Sequence, residues 1–198
     1  MKTRLALFLA LVLSNSLYPQ YPLVDSLWNE YNKQAGDSLK LEYMVETIGY
    51  ELENIDTDSA LSIYYKGLKE ATERNYLSLE ARAKMYIGIM YSYTGKGAQA
   101  IEFYKLSMEK FTEMSQSENP KIARTGKNGI ASVCNNLSNI YNKMSDFPQT
   151  LEYLQKSAKM FQELNNLKED KNDFQYEIRM YTTYCNIGSI YLRLDDLK

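Results

Sequence analysis

Asn135 to Met160, NNLSNIYNKMSDFPQTLEYLQKSAKM, reads as two helices joined by a reversal of the chain. Leu137, Ser138 and Tyr141 set large, small and aromatic side chains across one helical turn, and Thr150, Leu154 and Ser157 follow as small, large and small. Laid antiparallel, each segment supplies what the other lacks. A small side chain on one axis leaves room for a bulky one on its neighbour, so the axes can approach to about 8–10 Å with side chains filling hollows.

The same register stands upstream as Ile87, Gly88 and Tyr91 followed by Ala100, Tyr104 and Ser107; in both copies the second small residue follows the first by 12 positions. Ile187, Gly188 and Tyr191 repeat the first half downstream, and a looser copy runs Ile48, Gly49, Leu52, then Ala60, Tyr64 and Gly67. Self-similarity of this kind marks a stack of helix pairs. Over about residues 41–198 the pattern resembles the tetratricopeptide repeat. The resemblance implies an all-α fold, a tetratricopeptide-like α-solenoid of antiparallel helix pairs that serves as a binding module. Successive copies are offset by 40, 50 and 50 residues, against the usual ~34. Sharing ~16 extra residues between two helices lengthens each by about 12 Å, so the repeats are elongated and any groove deep.

The chain in order divides into residues 1–16, 17–37 and 38–198. Lys2 and Arg4 precede nine apolar residues, Leu5 to Leu13, and Ser14 and Ser16 then set small side chains where a signal peptidase cuts. We read 1–16 as a secretory signal removed after Ser16, the competing reading being a buried first helix. The run is too short to span a bilayer, which takes about 20 residues, so no membrane span is expected in this chain. No cysteine follows to anchor a lipid. Within 17–37, Pro22 to Gln34 predicts an amphipathic capping helix with Leu23, Leu27 and Tyr31 on one stripe and Trp28 beside it. The array then predicts pairs at about 38–75, 76–116 and 120–166, and an incomplete pair at 171–198. Asp56 to Ser59 offer capping oxygens, and in SENP Asn119 caps a helix that opens on Pro120. The TGKG turn at 94–97 lacks the preceding strand and the following Ser or Thr of a phosphate loop. LDDLK at 194–198 reads as the start of a partner helix, so a C-terminal continuation or another chain is expected to complete the last pair.

With 23 basic and 25 acidic residues the net charge is −2, which leaves no electrostatic footprint for nucleic acid. There is no histidine, hence neither the commonest general base nor the commonest transition-metal ligand. Asp56 with Asp58, and Asp195 with Asp196, fall at helix turns where capping accounts for them. No enzyme, metal site or cofactor is therefore expected. Cys134 and Cys185 occupy equivalent places in successive repeats, too far apart for a bridge, and are expected to be two buried free thiols. Tyr91, Tyr104, Tyr141 and Tyr191 are expected to pack. The sequon Asn136, Leu137, Ser138 lies mid-helix, where glycosylation is excluded.

In arrays of the resembled type the first helix of each pair lines the inner face. Asn135, Asn139 and Asn142 form one stripe there with Lys143 beside them, and the preceding first helix offers Arg82, Met85, Ile89 and Tyr93. Amides both donate and accept, so such a row can pair with the backbone of an extended peptide without reading its side chains. The resemblance points the same way, since asparagines and basic residues at these positions clamp peptides; the competing reading is a solvated helix face. A secretory signal, DSLW in the first helix and elongated repeats together resemble the exported N-terminal region of membrane-bound signalling proteins of the Bacteroidota. That resemblance implies a periplasmic or extracytoplasmic sensor of a protein or peptide. A constitutive scaffold for envelope or secretion assembly and an intracellular peptide-responsive regulator are the alternatives.

Overall fold

The structure is a computed structural model that describes residues 22–167 and 174–195; the segment 1–16, read as a secretory signal, and the end of the LDDLK stretch, Asp196 to Lys198, lie outside them. Every regular element among the described residues is helical: α1 (Pro22–Lys33), α2 (Asp37–Tyr43), a π-helical turn (Met44–Ile48), α3 (Gly49–Glu53), α4 (Thr57–Glu73), α5 (Leu77–Tyr93), α6 (Gly97–Ser115), α7 (Pro120–Lys143), α8 (Phe147–Asn166) and α9 (Gln175–Asp195). The described residues form two compact units that divide between Ile63 and Tyr64, inside α4.

In the first unit α1 packs against α2 and the π turn. Its buried face is Val24, with Leu27, Trp28 and Tyr31 partly covered, and Leu23 is exposed, so the stripe predicted from Leu23 is rotated by one position. Trp28 meets Tyr31 edge to face at 5.1 Å between centroids. The helix expected over 38–55 is present but passes through the π turn, which directs Met44, Val45 and Ile48 inward together. Asp56 opens α4: its carboxylate accepts from the Asp58 N–H at 3.2 Å and from the Ser59 hydroxyl, the capping expected at this turn.

The second unit is built of antiparallel pairs, α5 with α6 and α8 with α7, and α9 packs on α8. Gly88 lies under the Tyr104 ring so closely that a Cβ there would stand 2.7 Å from two ring carbons. Gly126 and Gly129 of α7 seat Phe111 and the α6 backbone even closer, with a Cβ at 126 falling 2.3 Å from the Ser115 nitrogen. The small residues of the second helices do more than make room. Ser107 donates from Oγ to the Ala81 carbonyl at 2.8 Å, and Ser157 donates likewise to Ala131 at 3.0 Å, the same tie repeated 50 residues on. Tyr104, Phe111, Val133 and Leu137 form one apolar core, and Phe147, Leu154 and Ile190 another against α9.

The turns repeat as closely as the cores. Lys96 N–H bonds to the Tyr91 carbonyl at 2.8 Å around Gly95 (φ +74), and Asp146 N–H bonds to Tyr141 at 2.9 Å around Ser145 (φ +59). Both close their helices with a left-handed residue. Asn119 accepts the Lys121 N–H at 3.0 Å with Pro120 in the first turn, so α7 starts where SENP predicts. No described helix is long and apolar enough to cross a membrane.

Three expectations at the last helix are corrected. Gly188 has nothing within 4 Å, Cys185 is exposed, and Tyr191 is 51% exposed; Tyr181 and Tyr184 are exposed as well. On α5 this side is covered by α6, and on α7 by α8; no described element lies there on α9. Cys134, by contrast, is buried, and burial pushes its thiol up to about 12.

Candidate functional site

The first helices α5, α7 and α9 lie side by side, and their adjoining faces enclose open clefts. Between α5 and α7 a cleft of about 290 Å³ is lined by Ile89, Ser92, Tyr93, Asn136, Asn139, Asn142 and Lys143, with Tyr104 of α6 below. Five of the eight groove residues expected from the sequence therefore share one surface: Ile89, Tyr93, Asn139, Asn142 and Lys143. Tyr93 is 68% exposed, an aromatic ring standing free at the rim. Met85 does not line the cleft, because it turns against the core around Tyr104 and Leu137. Arg82, partly buried, does not line it either.

Asn135 lines a second cleft, about 270 Å³, with Ser132, Asn136, Phe161, Arg179 and Thr182. Its backbone carbonyl accepts from Ser138 Oγ at 2.7 Å, but its side-chain Oδ1 is buried with no hydrogen-bond partner. A buried acceptor left unpaired costs about 1–3 kcal/mol. A third cleft, about 120 Å³, brings Asn139 and Asn142 beside Asn186, Ser189 and Arg193. The asparagine row thus has an apolar wall on the α5 side and a polar wall on the α9 side.

The α9 wall was not anticipated from the sequence. Arg179, Thr182, Asn186, Ser189 and Arg193 recur at steps of three and four, a polar stripe on one face of the helix. That spacing was the available signal. The α7 row is also longer than expected, since Asn128 and Ser132 extend it toward the N-terminus. Arg179 donates to Asn128 Oδ1 at 3.2 Å and Arg193 to Asn142 Oδ1 at 2.6 Å, fastening α9 to α7. Among the described residues no group of three or more cysteine, aspartate or glutamate side chains is placed to hold a metal ion.

Residues 130–172 match the tetratricopeptide repeat family, which covers α7 from Ile130 and all of α8. The fold is similar to the crystal structure of BtubC (BKLC) from P. vanneervenii, with a TM-score of 0.62 at 19% identity over 86% of this chain. The chain spans 62% of the length of that structure. No curated protein sequence matches it. Together these findings establish a tetratricopeptide-like, all-helical architecture, and the repeat suggests a protein-interaction module.

Proposed function

We propose that the chain is a non-catalytic module that holds an extended peptide segment of a partner protein along α7, and that it acts outside the cytoplasm as the sensor or interaction region of a signalling protein. The observation that carries the reading is the row Asn135, Asn139 and Asn142, each of which lines an open cleft. An extended backbone presents alternating donors and acceptors to such a row, whereas a helix has already spent them. The apolar rim at Ile89 and Tyr93 would take a hydrophobic side chain of the same segment.

Export rests on Lys2 and Arg4 ahead of Leu5 to Leu13. Sensing rests on the resemblance to exported signalling regions and on the elongated repeats. The groove is tested with 12-residue peptides selected from a displayed random pool against the wild-type chain. Asn135→Ala with Asn139→Ala is expected to weaken their binding by about tenfold or more, each lost hydrogen bond contributing roughly 0.5–1.5 kcal/mol. Undiminished binding at unchanged helicity refutes the groove. Export is tested by mass spectrometry of the N-terminus of protein recovered from the cell envelope. Leu17 is expected first, and a retained Met1 refutes the secretory reading.

A further inference from the structure

Two arginines of α9 sit in seats built alike. Arg179 bonds Asn128 of α7, and its guanidinium lies 5.6 Å over the Phe161 ring of α8; Arg193 bonds Asn142 and lies 4.8 Å over Phe147. The members of one seat are displaced from those of the other by 14 residues, forward along α7 and α9 and backward along antiparallel α8. Fourteen residues is close to four turns, so both guanidinium groups emerge on one face about 21 Å apart.

Both arginines are exposed, and among the described residues neither is paired with a carboxylate. A neutral glutamine could make the same bond to an asparagine oxygen, so the hydrogen bond between helices does not itself require the positive charge, which meets only the face of a phenyl ring. Each guanidinium spends one N–H on its asparagine and keeps further donors in a fixed fork, the geometry that receives a carboxylate. The phenyl ring beneath and the amide beside it hold the side chain in place, which lowers the entropy cost of binding. Between the seats lie Ser132, Asn135 and Asn139, whose side chains line the clefts. These are partners for a main chain whose own N–H groups are free, which means an extended one. At about 3.3 Å per residue, 21 Å corresponds to roughly six residues.

We propose that the α7–α9 face recognises an extended acidic segment of a protein partner, one carboxylate in each arginine seat and about six residues between them. The proposal rests on the peptide-groove reading and names the chemistry of its ligand.

The test uses the full chain and fluorescein-labelled 12-residue serine and glycine peptides that carry two glutamates at spacings of four, six or eight, read by fluorescence anisotropy. Spacing six is expected to bind best. Binding is expected to fall about tenfold or more when either glutamate becomes glutamine, and likewise for Arg179→Gln or Arg193→Gln. If an arginine variant loses helicity, the glutamine peptides on the wild-type chain carry the same comparison. Equal binding of glutamate and glutamine peptides overturns the proposal, as does a helical peptide that binds best with glutamates 14 apart. A 12-nucleotide oligothymidylate held by these arginines more tightly than the peptides also overturns it, by assigning them to phosphate. Neutral peptides that lose affinity to Asn135→Ala with Asn139→Ala but not to the arginine variants leave the groove standing and remove its acidic ligand. Failure of every one of these peptides to bind overturns the proposal, while the groove is then decided by the peptides selected from the random pool.

Discussion

Gly88→Ala and Gly188→Ala place the same methyl group at the same register of two first helices, and the structure gives them opposite effects. At Gly88 the new Cβ would stand 2.7 Å from Cδ1 and from Cε1 of Tyr104. Carbon atoms in good contact are about 3.5–4.0 Å apart, so the ring must recede by roughly 1 Å. Tyr104 is only 2% exposed and packs within the core around Val133 and Leu137, which resists that shift. Overpacking of this kind costs about 1–3 kcal/mol, while replacing a mid-helix glycine by alanine returns about 0.5–1 kcal/mol. The net expectation is a loss of up to about 2.5 kcal/mol, centred near 1 kcal/mol, and a fall in Tm of about 4 °C at that centre for a unit of this size. At Gly188 nothing lies within 4 Å, so only the helix-propensity gain remains. There the Tm should rise by about 1–4 °C. Thermal and urea denaturation followed by far-UV circular dichroism measure both. If the two variants are stabilised alike, Tyr104 does not rest on Gly88, and the packing argument drawn from small residues is wrong.

Gly126→Ala should cost more than Gly88→Ala, about 3 kcal/mol or more, because the obstructing atoms are the backbone of Ser115 and Phe111 and cannot rotate away; a lowered urea midpoint with retained helicity is the expected readout. Ser107→Ala and Ser157→Ala should each cost about 1 kcal/mol by losing the bond to Ala81 or Ala131, and the double variant should show their sum, since the two ties share no partner. At pH 8 a thiol reagent should titrate one cysteine in the native chain, exposed Cys185, and both after unfolding. Cys134 is buried and its thiol is raised to about 12, so its reactive thiolate is scarce until pH rises through that value or the fold opens. Two fast thiols in the native state would refute the packing of α7. Asn119→Ala should destabilise by about 1 kcal/mol through loss of the cap on Lys121, seen as a lower Tm.

The positions of the helices and their pairing from Tyr76 to Asn166 were legible in the residues because the signals are local. Small and large side chains at fixed steps define which face meets which, and Asn119, Pro120 and Gly95 mark ends through the backbone angles and donors they supply. The asparagine row was legible for the same reason, since three residues on one helix share a face whatever lies opposite. Met85 was assigned to the groove because spacing alone does not say where a stripe passes from open surface to core; the neighbouring helix decides that.

The sequence by itself therefore determined a chain of helix pairs with a polar row on one of them. Tertiary structure alone decided what faces that row: Arg179 and Arg193 reach Asn128 and Asn142 across a gap of 51 residues, a meeting made possible by the packing of α9 on α8. It decided too that Gly188, Tyr191 and Cys185 lie open while Gly88, Tyr104 and Cys134 are covered. Repeat register is a property of one helix, but burial is a property of the helix beside it.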